Sequence, residues 1–158
     1  MTATYEKITT QTLSSASSTI TFSSISGAYT DLVLVINGAL TGSAIKLIKF
    51  NGDTAANYSI TTLLGTSAGA SSGRYADSYI DVANSATARF MNIVKIMNYS
   101  NTTTYKTFFA RQNSPTTTVE EIIGQWRSTA AITSFTITTS SNSVASGSTF
   151  TLYGIKAE

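Results

Sequence analysis

Cysteine and histidine are both absent from the 158 residues. That excludes the common zinc sites, thiolate nucleophiles, disulfides, and every triad or acid–base pair that needs an imidazole. Charge is scarce too: Asp, Glu, Lys and Arg make up 11% of the chain, against about a quarter in an average protein. Ten basic residues against eight acidic ones leave a net charge of +2, too small an imbalance for a nucleic-acid footprint. Proline occurs once, at Pro115, in the Asn113–Thr118 connection, where a missing N–H does no harm. The longest apolar run, Leu32–Ile36, has five residues, far short of the ~20 that span a bilayer, so no membrane insertion is expected. Met1–Ser18 is polar and Thr-rich and lacks the apolar core of a secretory signal. Synthesis in the cytoplasm is the expectation.

What is abundant is Thr and Ser, 51 residues between them, beside a normal hydrophobic fraction of 42%. A disordered polar tract would not carry that much apolar surface. The apolar residues recur with a period close to two, and Thr, Val, Ile, Tyr and Phe dominate them, as on a pleated, half-buried surface. The pattern predicts strands near Thr4–Thr9, Thr19–Phe22, Asp31–Asn37, Ala44–Phe50, Tyr58–Leu63 and Tyr75–Val82. It continues with Arg89–Met97, Thr104–Gln112, Val119–Arg127, Ile132–Thr138 and Thr149–Lys156. Gly65–Ser72 and Ser140–Ser148 read as flexible small-residue loops. Asn51-Gly52 is the strongest short hairpin signal. Helical readings of Val119–Gly124 and Asp53–Tyr58 are too short to stand alone.

About ten short strands with regular turns predict an all-β fold with little or no helix, an antiparallel β-sandwich of jelly-roll type. A single domain over residues 1–158 is expected, with residues 1–18 read as an extended arm available for assembly contacts. Asp31–Asn37, apolar on both faces, should be a central strand covered on two sides. Arg89–Met97 places Phe90, Val94 and Ile96 on one face, and Met91, Ile93 and Met97 on the other. Met91, Ile93 and Met97 are therefore candidates for an oligomer interface; burial under a loop such as Gly65–Ser72 is the alternative.

Catalytic options are few. Glu120 and Glu121 are adjacent, so in a strand they face opposite ways, while Asp77 and Asp81 would share a face ~13 Å apart. Neither pair brings two carboxyls onto one glycosidic bond, and no catalytic residue is assigned. The acids near Asn51-Gly52-Asp53 lack the twelve-residue ligand pattern of a calcium loop, and turn-forming side-chain hydrogen bonds explain them; no metal or cofactor is expected. The triplets beginning at Asn57, Asn98 and Asn101 match the glycosylation pattern, as chance allows in so Ser/Thr-rich a chain. Aromatic rings near polar loops could bind sugars as well as pack, and Tyr75, Tyr79, Tyr99 and Trp126 are the candidates for glycan or partner contact. Surfaces of Thr, Ser and Asn, moreover, can be buried against a partner without stranding charges.

Phe50–Ser59, Met97–Lys106, Gln125–Ser134 and Gly147–Lys156, with Tyr5-Glu-Lys-Ile8 ahead of a Ser/Thr-rich strand, resemble segments of bacteriophage virion structural proteins. The likeness spans most of the chain and carries no catalytic motif. It implies a virion β-sandwich that assembles, often as a homotrimer. The expected partner is the major capsid protein for a capsid decoration (cement) protein, or tail components and a host glycan for a tail-fibre or receptor-binding module. The small size, with no coiled coil or shaft repeat, favours decoration. An enzyme such as a depolymerase would need converging carboxylates, which the sequence does not offer.

Overall fold

The computed structural model describes residues 4–85, 88–114 and 118–156. They form twelve strands and no helix: β1 (Tyr5–Thr12), β2 (Thr19–Phe22), β3 (Asp31–Gly38), β4 (Ala44–Phe50), β5 (Tyr58–Thr66), β6 (Gly69–Asp77), β7 (Ile80–Ser85), β8 (Phe90–Met97), β9 (Lys106–Ser114), β10 (Thr118–Trp126), β11 (Phe135–Thr139) and β12 (Thr149–Ile155). All pairings are antiparallel. One sheet runs β1-β12-β3-β8-β9-β10-β5-β6, the other β2-β11-β4-β7. The pairs β1·β12, β2·β11, β3·β8 and β4·β7 nest inside one another, which is the eight-strand jelly-roll arrangement. The other four strands are two inserted hairpins: β5–β6 between β4 and β7, and β9–β10 between β8 and β11. Both join the same sheet, where β10 pairs with β5 and doubles the sheet's width.

Alternation fills the space between the sheets. Ile20 and Phe22 of β2, Ile48 and Phe50 of β4, and Phe135 and Ile137 of β11 face Leu32, Leu34, Ile36, Val94, Ile96, Phe150 and Leu152 of the larger sheet, all buried. One aromatic cluster closes the end where the inserted hairpin meets the small sheet. Phe50 packs edge-on to Trp126 at 5.7 Å, Trp126 stacks on Tyr58 at 6.5 Å, and Phe108 approaches Phe50 at 6.2 Å between ring centres.

Several expectations need correction. Tyr75–Val82 is two strands in different sheets: β6 ends at Asp77, whose Oδ1 accepts the Ser78 N–H at 2.6 Å, and the chain turns there to begin β7. Gly65–Ser72 is no loop but the tip of the β5–β6 hairpin, with ladder pairing out to Thr66 and Gly69. A backbone ladder needs no apolar side chains, so its small residues hid it. Asn51 and Gly52 do make a turn with positive φ at both positions (50° and 69°), closed by Asp53 N donating to Phe50 O. It joins strands that do not pair, however, carrying the chain from the small sheet to the large one. Within residues 1–18, Tyr5–Thr12 is bonded to β12 as the sheet's edge strand rather than standing free as an arm. Ser140–Ser148 is irregular but anchored, since buried Val144 bridges both Ser17 and Leu40. Pro115 lies outside the described residues.

Candidate interaction surface

The two inserted hairpins give the larger sheet an outer face that no second layer covers among the described residues. Strand parity decides what stands on it. On β8, Asn92, Val94 and Ile96 point inward and are buried, leaving Met91, Ile93, Lys95 and Met97 outside. On β10, Ile122 and Trp126 point inward while Val119, Glu121 and Ile123 point outward. Met91 is 49% exposed, Leu63 48%, Val119 55% and Ile123 49%, so four large apolar side chains from three strands stand half in water on one face.

Ladder register arranges these residues in rows across β8, β9, β10 and β5. One row reads Ile93, Arg111, Glu121, Leu63. The next reads Lys95, Phe109, Ile123, Thr61. On the other side lie Met91, whose N–H donates to Asn113 Oδ1 at 2.9 Å, then Asn113, Val119 and Gly65. Met91, Ile93, Arg111, Asn113 and Val119 line a shallow depression there. Lys95 is engaged within the chain by Asp31 at 3.1 Å.

Of the interface candidates, the structure thus places Met91, Ile93 and Met97 together on this open face, and the tip 65–72 does not cover them. Val35 and Ile93 are register partners on the same face, and Val33 sits between Lys95 and Tyr153. Strand β3 is therefore central in the ladder, with a second sheet on its inner side only; on the outer side Val33 is buried, while Val35 is partly open to solvent and Asn37 is exposed. Leu63, Val119, Ile123, Arg111 and Glu121 were missed as members of the surface. The alternation Val119, Glu121, Ile123 carried the signal, but which side is open depends on strand order.

The aromatic candidates separate. Tyr99 and Trp126 are buried and cannot present a ring face to a glycan. Trp126 falls on the inward parity of β10, and the Tyr99 hydroxyl donates to Ser26 O under the β2–β3 connection. Tyr75 and Tyr79 stay half-buried beside Asp77 and Asp81. Burial, then the charges of Asp81, Glu120 and Asp77, push the Tyr75 phenol up to about 12. Burial, with the charge of Asp77 and a hydrogen bond to it, raises Tyr79 as well. Tyr75 lines a shallow recess with Ser59, Arg74, Ala76 and Arg127.

The inward Glu120 is raised by burial, against a hydrogen bond from Gln112 Nε2. Outward Glu121 shares no face with it, as the sequence implied. No group of three or more carboxylates gathers among the described residues. No family model and no curated protein matches the chain. Among solved structures it is similar to an alginate lyase variant in complex with an alginate trisaccharide, at 11% identity over 94% of this chain and 80% of that one, with a TM-score of 0.30. A likeness that slight carries no argument about activity.

Proposed function

We propose that this chain is a structural component of a bacteriophage virion, a capsid decoration (cement) protein that stabilises the head shell without catalysis. The observation that carries the reading is the outer face of the widened sheet: apolar residues half in water, set among Thr, Asn and Gln, with Lys95 already paired to Asp31 and Arg111 and Glu121 side by side with opposite charge. Such a surface can be desolvated against a partner at little electrostatic cost. The segment resemblance supports the virion setting. The partner is the major capsid protein across joints between capsomers, and binding only the assembled shell stabilises it by mass action. The protein is made in the host cytoplasm and resides on the particle.

Quantifying the chain in purified virions tests this. A copy number in simple ratio to the major capsid protein, together with loss of heat resistance in particles lacking it, supports the reading. Absence from virions overturns it. A few copies per particle would favour the second reading, a tail-fibre or receptor-binding module recognising a host glycan. The observation behind that reading is the partly buried Tyr75, which lines a recess with Arg74 and Arg127.

A further inference from the structure

The order of side chains along the central outer row is symmetric in a way that selects its own partner. Across β8, β9, β10 and β5 it reads apolar, cation, anion, apolar: Ile93, Arg111, Glu121, Leu63. We propose that this face pairs with the same face of a second copy of the chain, about a two-fold axis running along the strands between β9 and β10.

Under that operation β9 lies over β10 of the other copy, and β8 over β5. Arg111 then meets Glu121 twice, once on each side of the axis, and Ile93 meets Leu63 twice. One row away, Phe109 meets Ile123. A two-fold across the strands through the same row would set Arg111 on Arg111 and Glu121 on Glu121, so charge chooses the axis. Sheets stacked face to face cross at about 30°, and the charged pair tolerates that rotation because it straddles the axis. An isologous contact of this kind needs a self-complementary patch, which this row supplies. A three-fold contact is heterologous and makes no use of it, so the pairing departs from the trimer that the resemblance implies.

The size suffices. Four strands about 4.8 Å apart, with four outward residues each, cover a patch of roughly 19 Å by 27 Å, or about 1,000 Å² over both copies, which is the lower bound for a specific interface. The pairing is accordingly expected in the micromolar range. It deepens the reading of that same face, which a second copy covers while the dimer meets the shell through its remaining surface; the tests stay distinguishable, because a monomer in solution leaves copy number per virion untouched and absence from virions leaves the pairing untouched.

Charge reversal in two halves tests it by sedimentation. The wild type should dimerise. Arg111→Glu and Glu121→Arg should each weaken self-association at least tenfold, since each sets like charges together twice. Mixed in equal amounts, the two variants should form a heterodimer close to wild-type strength. One copy then presents two carboxylates and the other two guanidinium groups, so opposite charges meet at both contacts. A wild type that stays monomeric or sediments as a trimer overturns the proposal, as do variants that dimerise unchanged or a mixture that fails to associate. Should a reversal unfold the domain, thiol cross-linking answers the same question in a chain with no other cysteine. Ile93→Cys and Leu63→Cys from different copies come within about 10 Å, whereas two copies of Ile93→Cys stay about 17 Å apart. A short bismaleimide should therefore link the mixture and leave either variant alone unlinked; the reverse pattern, or no linkage in the mixture, overturns the pairing.

Discussion

The indole Nε1 of Trp126 donates to Asp53 Oδ2 at 2.6 Å, joining the last residue of β10 to the corner that carries the chain between the sheets. The same carboxylate accepts from Asn57 Nδ2 and the Ala55 N–H, both at 2.9 Å. Burial works to raise its pKa, and these three hydrogen bonds outweigh it, so Asp53 titrates below the ordinary carboxylate value of 3.8. The stabilisation is present above pH ~4 and is lost as acidification protonates the folded state, because the unfolded chain takes up the proton first. Asp53→Asn should lower stability at pH 7 by about 1–3 kcal/mol. Between pH 7 and pH 3 the urea midpoint should then fall less in the variant than in the wild type. Equal falls would mean that the carboxylate charge does not hold this corner.

Neighbouring residues on β8 should respond oppositely to the same substitution. Val94 is fully buried between the sheets, and Ile93 stands on the outer face. Val94→Asp strands a carboxylate in an apolar core and should cost more than about 3 kcal/mol. Ile93→Asp should leave far-UV circular dichroism and thermal midpoint nearly unchanged while weakening self-association. If Ile93→Asp unfolds the chain, another element covers that face.

Much of the jelly roll could be read in the sequence, because its inward positions alternate so cleanly. Ile20 and Phe22, Phe135 and Ile137, and Phe90, Val94 and Ile96 all face the core as their spacing requires. What could not be read depends on long-range pairing. Asn51-Gly52 makes the local turn its residues demand, yet nothing local says that β4 will pair with β11 and β5 with β10. Trp126 looks like a surface ring beside Arg127 until Phe50 and Tyr58 are brought round it. Buried Lys106, whose Nζ donates to Thr104 O at 2.8 Å and Thr129 O at 3.2 Å, had no local signature either. The outer face was half visible: Met91 and Ile93 could be assigned by parity, but Arg111, Glu121 and Leu63 join them only through the register of the inserted hairpins.

Alkaline pH should destabilise the fold through two phenols. Burial pushes Tyr58 up to about 12, as it does Tyr75, where neighbouring carboxylates add to it. The unfolded chain ionises near 10, so stability is complete below pH 10 and is lost as pH rises toward 12. Tyr75→Phe should flatten that loss with little effect at pH 7. Tyr58→Phe should flatten it too but weaken the protein at neutral pH, because the Phe50 N–H loses its acceptor at 2.8 Å. Urea midpoints at pH 8 and pH 11.5 separate the two; an unchanged slope in both variants would place the alkaline transition elsewhere.

Gly124 permits the close approach of β10 to its neighbours at the edge of the aromatic cluster. A Cβ there would come within 2.7 Å of the Ser59 carbonyl oxygen and closer still to the Phe108 ring. Phe108 is itself fully buried, with the Phe50 ring 6.2 Å away, so its ring has little room to retreat. Gly124→Ala should therefore destabilise the fold by about 1–3 kcal/mol through overpacking. Phe108→Leu alone should cost a comparable amount through lost contact and a residual void. In the double variant the smaller side chain leaves room for the new methyl, and the combined loss should fall short of the sum by at least ~0.5 kcal/mol. Denaturant unfolding of the four proteins gives this coupling directly. Strict additivity would mean that the Ser59 carbonyl, and not the ring, is what excludes a side chain at position 124.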